Sequence, residues 1–217
     1  MKPFIHYITH WYKNQNKDRS DEMLFAINMQ IENPLVLSSS ILSMDPGLMI
    51  PDIDIDHRPT YSELLSYGKN VSNIVNLLIN TDCYIEPDDM YLLSNIQEDE
   101  MWCISRQDLI HRESQDAWVW RGNLCIENLN FTMGVPGCDN RFAFECAAIR
   151  NNIYNPSLSI RVNHVHKSNV RSYTEHNRVS HPYLFVEPSA INEPSLKYFR
   201  GSQIDMNKLK IDGLLIG

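Results

Sequence analysis

The sequence lacks the patterns that mark several common classes of protein. Its five cysteines are odd in number and include no CxxC pair, which argues against a structural zinc site or a disulfide framework. The N-terminal segment has no signal-peptide core, and no apolar run approaches the length of a membrane span. We therefore expect a protein without a transmembrane segment, located in a reducing compartment, the cytoplasm.

Motifs of several enzyme classes are missing too: there is no P-loop, no GxGxxG and no GxSxG. Basic residues are few, with 19 lysines and arginines against 27 aspartates and glutamates, and the net charge is −8. Such a chain is not expected to hold nucleic acid by bulk electrostatics, which leaves only a local basic patch. The segment "PDIDIDHRP" lacks the glycine and the terminal glutamate of an EF-hand at the required spacing.

The composition is that of a globular protein, and 217 residues suffice for one α/β domain with a short appendage. The runs "FIHYIT", "LVLSSSILSM" and "IVNLLIN" have strand composition, and the last suits a parallel strand buried on both faces. Helices are predicted over 18–33, over 61–67 and from Pro87 onward. This alternation predicts an α/β fold with a mostly parallel, Rossmann-like central sheet flanked by helices.

Further strands are predicted in "MWCISR", "AWVWRG" and "SLSIRVNHV", and a helix in "CDNRFAFECAAIRNN". Turn residues and alternating acids predict a loop in "DPGLMIPDIDIDHRP". Trp118 and Trp120 share one strand face, where tryptophans are more often core than sugar platforms. The Pro-containing segment from His181 is predicted to be irregular. We thus expect a domain over residues 1–180 and a C-terminal extension over 181–217 that packs on it or leads to another module.

One acid stands out, because Asp82 directly follows the apolar run "NLLIN". Ligands of open α/β sheets bind outside the carboxyl ends of the strands. A carboxylate at such an end can hold a divalent cation or a ribose hydroxyl. The alternative is that Asp82 only caps a turn, which is a common use of aspartate.

A series of short motifs accompanies this acid, in the order "RPTYSELLSYGKN", "TDC", "SRQD", "SQDAWVWRG", "GVPGCDNRFAFE", "YNPSLSI" and "HVHKSNVRSY". Over residues 4–173 the series resembles the small GT-A-type glycosyltransferases of bacteria and large DNA viruses. The resemblance implies a GT-A-like fold, a nucleotide-diphosphate sugar donor (a UDP-sugar is favoured), a hydroxyl acceptor such as a glycan, and Mn²⁺ or Mg²⁺. For a viral chain, the expected cytoplasm is that of the host cell.

The resemblance also implies roles for individual residues. "TDC" occupies the place of the family's DxD-like motif, with Asp82 as the principal acid and Tyr84 where a second acid is often found. One or both of His164 and His166 would complete the metal site. Asp139 would be the general base on the acceptor, and Asp116 would lie beside the donor sugar. The donor-binding set is completed by Thr9, Arg19, Arg58 and Asn80.

Several of these residue types suit such chemistry on their own. Asp139 begins a predicted helix after Gly137, and the positive end of that helix predicts a lowered pKa for its carboxyl. His164 and His166 alternate on a predicted strand, so that both imidazoles point to one face. Guanidinium groups match phosphate oxygens, which favours Arg19 and Arg58. The alternatives are a helix cap, partly exposed strand histidines and surface ion pairs.

The sequence therefore predicts a metal-dependent glycosyltransferase, and two other functions stay open. A non-catalytic module that binds sugar nucleotides or carbohydrate is compatible with the missing second acid and the short chain. A metal-dependent nucleotidyltransferase also uses an α/β sheet, but it normally needs two carboxylates on the metal and a glycine-rich phosphate loop.

Overall fold

The computed structural model describes residues 2, 4–45, 53–109, 114–150, 152–168, 177–209 and 214–216. In chain order the elements are β1 (Ile5–Trp11), α1 (Lys17–Ile31), β2 (Val36–Ser43), β3 (Ile53–Asp54), α2 (Tyr61–Ser66), β4 (Val75–Ile79), β5 (Cys83–Ile85), a 3₁₀ helix (Pro87–Asn95), β6 (Glu100–Ile104), a short 3₁₀ turn (Gln107–Leu109), β7 (Ala117–Arg121), α3 (Cys138–Ala147), β8 (Asn152–Tyr154), β9 (Val162–His164), β10 (Tyr183–Val186), β11 (Lys197–Arg200), α4 (Gln203–Met206) and β12 (Leu214–Ile216).

A seven-stranded sheet in the order β3-β2-β1-β4-β7-β6-β8 lies at the centre. The pairs β1–β2, β1–β4, β2–β3 and β6–β8 are parallel, and β7 alone runs antiparallel to its neighbours β4 and β6. The predicted α/β class with a mostly parallel central sheet is confirmed. Every residue of β1 and β4 is buried, as expected for parallel strands that are covered on both faces.

Alternate residues of the central strands enter two hydrophobic layers. Ile8 and Leu78 pack into the layer that contains α2 and α3, whereas Tyr7 and Leu77 pack into the layer that contains α1 and the first 3₁₀ helix. Trp118 and Trp120 are buried in the former layer, which confirms their predicted place in the core. The helices therefore cover both faces and leave the ends of the strands open.

The helices begin at residues that commonly start helices, namely capping residues and a proline. The side chain of Asn16 accepts a hydrogen bond from the Arg19 amide, which caps α1. Thr60 and Glu63 form a capping box on α2. Pro87 begins the helix predicted there, although that helix is of the 3₁₀ type.

The described residues from His181 onward are not irregular, so that prediction is wrong. They form a three-stranded sheet in the order β10-β11-β12. Leu184 and Phe199 enter the core beside α3, where the rings of Phe144 and Phe199 lie 6.0 Å apart. The prolines that suggested irregularity flank the strands instead of interrupting them, because Pro182 precedes β10 and Pro188 follows it.

Two further predictions need correction. The late strand is only β9, because the amides of Ser159 and Ile160 both donate to the Pro156 carbonyl and close a turn. The predicted loop over 45–59 contains the short strand β3, which pairs with the end of β2. Residues 46–52 of that loop, and residues 169–173 of the last motif, lie outside the described residues.

No helix formed by the described residues is both long and apolar enough to cross a bilayer.

Gly137 provides a test of how the fold positions α3. It caps this helix with φ +78°, and an added Cβ would lie 2.6 Å from the Tyr183 Oη. Gly122 also has a positive φ, +63°, but nothing lies within 4 Å of an added Cβ. Gly122→Ala should therefore lose only about 1–2 kcal/mol of unfolding free energy to backbone strain. Gly137→Ala should lose about 1–3 kcal/mol more, because Tyr183 must move.

Urea denaturation of the two variants measures this difference. Equal losses in the two variants would mean that the contact between Gly137 and Tyr183 does not constrain α3.

Candidate functional site

A cleft of about 670 Å³ opens at the carboxyl ends of the parallel strands. The segments that follow β1, β4 and β6 and the segment that precedes the antiparallel β7 all reach this edge of the sheet. The other walls come from α1, β9, the N-terminus of α3 and the C-terminal sheet. Side chains from distant parts of the sequence meet here because parallel strands end on the same side.

Asp82 lies at the centre of one group of polar side chains in this cleft. Its carboxylate forms an ion pair with Arg19, and its Oδ2 atom lies 3.2 Å from the His164 Nε2 atom. The Nδ1 atom of His166 lies 3.8 Å from the same oxygen. The backbone fixes this arrangement, since Cys83 pairs with His164 across β5 and β9, and the Val165 amide donates to the Asp82 carbonyl.

Both imidazoles face Asp82, as the predicted alternation requires, although β9 ends at His164 and His166 lies beyond the strand. The Nδ1 atom of His164 lies 3.0 Å from a carboxylate oxygen of Asp108, which orients the ring. The Nε2 atom of His166 is buried and has no hydrogen-bond partner among the described residues. The nitrogen of His166 that faces Asp82 is Nδ1, so Nδ1 is the atom that an ion shared with Asp82 would meet.

The Asp82 carboxylate is held in its ionised form. Burial raises the pKa of this group, but the hydrogen bond with His164 and the charge of Arg19 outweigh burial and hold the pKa well below its usual range. Burial likewise lowers the pKa of His164, yet its contacts with Asp82 and Asp108 raise that pKa above the ordinary value overall. The cluster thus combines one anion with a cation and a basic imidazole.

This donor set suits a divalent cation. One oxygen of Asp82, the Sγ atom of Cys83 and a ring nitrogen of His164 all lie within 4.8 Å of one another. Burial raises the pKa of Cys83 well above its ordinary value, so that the thiol stays protonated and is a poor ligand. His166 is the better third donor. Arg19 contacts the same Asp82 oxygen as the imidazoles and would compete with an ion for it.

Asp116 and Asp139 form a second acidic group in the cleft. The side chain of Asn80 donates to the Asp116 Oδ1 atom at 2.6 Å, and the Ser114 hydroxyl donates to its Oδ2 atom at 3.2 Å. The backbone amide of Gln115 donates to the Asp139 Oδ2 atom at 3.3 Å. The segment "SQD" before β7 therefore holds both carboxyl groups.

The pKa values of Asp116 and Asp139 are raised, whereas that of Asp82 is lowered. Burial raises the pKa of Asp139 to about 7, and the nearby charge of Asp116 adds to the rise. Burial also raises the pKa of Asp116, against the opposing charge of Arg106. The predicted lowering of the Asp139 pKa by the helix is therefore wrong, because desolvation in the cleft wall outweighs the backbone hydrogen bonds at the start of α3.

Two more arginines contribute positive charge. Arg58 donates to the Gly134 carbonyl at 3.3 Å, and its guanidinium lies 5.7 Å from the centre of the Tyr12 ring. No carboxylate among the described residues pairs with Arg58, and its Nε atom is buried without a partner there. Arg106 lies between Asp108, at 3.1 Å, and Asp116, at 3.9 Å.

The structure brings nearly all of the predicted site residues into one cleft. They are Arg19, Arg58, Asn80, Asp82, Asp116, Asp139, His164 and His166. Thr9 is the exception, because it is fully buried and donates its hydroxyl to the Ile79 carbonyl within the sheet. Asn80 is in the cleft, but its amide is engaged by Asp116.

Sequence reasoning missed Arg106, Asp108 and the cleft wall made by the C-terminal sheet. Arg106 and Asp108 lie in the motif "SRQD" directly after β6, so their position at a strand end was the available signal. The C-terminal wall had a weaker signal, the short run of aromatic and branched apolar residues in "YLFV".

The chain matches no model of a known protein family, and comparison with curated proteins gives no significant match.

The high pKa of Asp139 has a consequence for stability that is measurable without any ligand. The folded state holds the Asp139 proton up to about pH 7, whereas an unfolded aspartate loses it near its usual pKa, about 4. The folded parent therefore loses stability as the pH rises through this window, by up to about 1.4 kcal/mol per pH unit. Asp139→Asn has no such proton, so its stability relative to the parent should increase from pH 5 to pH 8.

Chemical denaturation at several pH values measures this trend, and Asp88→Asn, at an exposed position outside the cleft, controls for the loss of one charge. Parallel pH profiles for the parent and Asp139→Asn would contradict the assigned environment of Asp139.

Proposed function

We propose that the protein is a glycosyltransferase that moves a sugar from a nucleotide-diphosphate sugar, with a UDP-sugar favoured, to a hydroxyl group of an acceptor such as a glycan. One observation carries the proposal. A partly buried, ionised Asp82 with two imidazoles and a guanidinium shares a cleft at the strand ends with an acid, Asp139, whose pKa is about 7. The first group suits a diphosphate and its metal ion, and the second suits proton transfer.

The donor diphosphate is proposed to bind against Arg19 and Arg58, because guanidinium groups pair well with phosphate oxygens. Arg58 fits this role in particular, since a partly buried guanidinium without a carboxylate partner among the described residues favours an anionic ligand. Arg19 is proposed to turn from Asp82 to the diphosphate when the donor binds.

Asp82, His164 and His166 would hold a divalent ion. Mg²⁺ prefers oxygen ligands, whereas two imidazoles beside one carboxylate favour Mn²⁺. When bound, such an ion offsets the negative charge that develops on the leaving nucleoside diphosphate. Since Arg19 occupies the same carboxylate oxygen, we expect the ion and the diphosphate to bind together more tightly than either binds alone.

Asp139 is the proposed general base. Its carboxylate would take the proton of the acceptor hydroxyl while the hydroxyl oxygen bonds to the anomeric carbon and the bond to the diphosphate oxygen breaks. A base with a pKa near the working pH balances availability against proton affinity. Asp116, held by Asn80 and Ser114, is proposed to accept hydrogen bonds from hydroxyl groups of the donor sugar.

A non-catalytic sugar-nucleotide-binding module is the second candidate, and the ion pair between Arg19 and Asp82 favours it. A carboxylate already neutralised by arginine is compatible with metal-independent binding of a diphosphate. The two functions separate in one assay, because only the enzyme releases nucleoside diphosphate from UDP-sugars. A thermal-shift screen of sugar nucleotides with and without Mn²⁺ selects the donor for that assay, since a ligand of the native state raises the melting temperature.

The metal and donor roles predict the behaviour of Asp82→Asn. Titration calorimetry of the parent with UDP should show tighter binding when Mn²⁺ is present, and Asp82→Asn should lose this enhancement. Asp88→Asn removes an exposed acid outside the cleft, and this variant should still bind UDP more tightly when Mn²⁺ is present. An Asp82→Asn protein that melts cooperatively and still binds UDP more tightly with Mn²⁺ would refute the assignment of Asp82.

The general-base role predicts a separation of chemistry from binding. Asp139→Asn keeps the size of the side chain and removes its charge, so transfer should fall by about two to four orders of magnitude while donor affinity changes little. In the parent, kcat should rise with pH to a plateau above about pH 7, as the carboxyl loses its proton. Turnover near the parent level would instead make Asp139 a structural residue, and a collapse of donor affinity would make it a binding residue.

A further inference from the structure

The C-terminal sheet has one face in the core and one face in the cleft. Leu184, Val186 and Phe199 are buried beside α3. Successive side chains of a strand point to opposite faces, so Tyr183 and Phe185 lie on the other side of β10. Arg200 is directly opposite Tyr183 in the antiparallel pair β10–β11 and therefore shares this face. All three residues line the cleft.

This face adjoins the N-terminus of α3. The Tyr183 Oη atom approaches the space where a Cβ of Gly137 would lie, at 2.6 Å, and Asp139 follows two residues later. The residues proposed to bind the donor come from other elements, namely α1, the segment before α2, the end of β4, the segment before β7, and β9 with the residues that follow it. Tyr183, Phe185 and Arg200, hereafter the aromatic wall, thus share the cleft with the proposed general base, Tyr183 packs on the turn that precedes it, and none of the three belongs to a donor-binding element.

The aromatic wall combines an apolar ring surface with a positive charge, which suits a sugar ring that carries a negative substituent. Phe185 is partly exposed, and its ring lies edge-on to that of Tyr183 with centroids 6.2 Å apart, which leaves apolar surface for the CH groups of a sugar. Arg200 is exposed, and no carboxylate among the described residues pairs with it. An arginine in this setting favours a carboxylate or a phosphate.

We infer that the aromatic wall is the acceptor subsite and that the acceptor is an anionic saccharide, whose carboxylate or phosphate contacts Arg200 while a sugar ring packs on Phe185. The inference rests on the proposed glycosyltransferase function and names its acceptor class. It also explains how a chain with a net charge of −8 would attract a negatively charged substrate, since Arg200 supplies local positive charge in the cleft that contains Asp139.

Ligand-observed NMR titrations test the inference with defined probes. The probes are the methyl glycosides of glucose and galactose, the corresponding uronates, and the corresponding 6-phosphates. In the presence of UDP and Mn²⁺, at least one anionic series should bind the parent about tenfold more tightly than its neutral counterpart, the usual strength of a charge-assisted contact. The series that gains affinity distinguishes a carboxylate from a phosphate.

Variants test whether the tighter binding of anionic probes comes from the aromatic wall. Arg200→Gln should bind anionic and neutral probes equally, whereas Lys208→Gln, which removes an exposed cation outside the cleft, should keep the tenfold difference. Phe185→Ala should weaken neutral and anionic probes alike, because it removes the stacking surface and leaves the charge. A preference for anionic probes that persists in Arg200→Gln would overturn the inference, as would equal binding of all probes by the parent.

Competition distinguishes failure of this inference from failure of the proposed function. If UDP displaces the anionic probes, Arg200 belongs to the donor site and the acceptor assignment is wrong. If UDP and UDP-sugars do not bind at all, the proposed function fails, while titrations without UDP still show whether Arg200 selects anionic saccharides.

Discussion

The structure of the cleft depends on the compensation of one partly buried charge, that of Asp82. Its side chain is 15% exposed, and the side chains of its partners Arg19 and His164 are 7% and 8% exposed. Removing one partner of a buried pair leaves an uncompensated charge, which typically destabilises a protein by about 3–5 kcal/mol. Because the partners come from α1 and from the end of β9, this compensation fixes two distant elements against the end of β4. The same ionised carboxylate therefore organises this edge of the sheet.

The two acidic groups of the cleft differ in their surroundings, and this difference gives them different chemistry. Asp82 has a guanidinium and two imidazoles around one oxygen, so that its pKa is held low. Among the described residues, backbone and side-chain amides donate to Asp139 and another carboxyl group lies nearby, so that burial raises its pKa to about 7. Environments that separate the pKa values of neighbouring acids are a common way to divide roles between them. One carboxyl thus stays charged, and the other can exchange a proton.

Periodicity and turn residues predicted the central sheet and its helices, because β1, β4 and α1 have clear local signals that agree with their burial. Local signals failed where the environment comes from elsewhere in the chain. The start of α3 predicted a low pKa for Asp139, but the burial that raises it comes from the packing of the cleft wall. Thr9 was predicted to bind the donor, yet the strand register places its hydroxyl against the Ile79 carbonyl within the sheet. Contacts across 58 residues, such as that between Arg106 and His164, leave no local pattern.

The segment from Gly134 to Asp139 contacts several parts of the cleft. Gly134 has φ +77°, and a Cβ there would lie 2.6 Å from a terminal nitrogen of Arg58, so the missing side chain leaves room for that guanidinium. Gly137 similarly leaves room for Tyr183 of the aromatic wall, and Asp139 lies between these constraints and the segment before β7. One short segment therefore sets the positions of the Arg58 guanidinium, the Asp139 carboxyl group and the Tyr183 ring relative to one another. The two glycines with positive φ allow this arrangement, because a Cβ at either position would collide with the side chain that packs there, Arg58 at Gly134 and Tyr183 at Gly137.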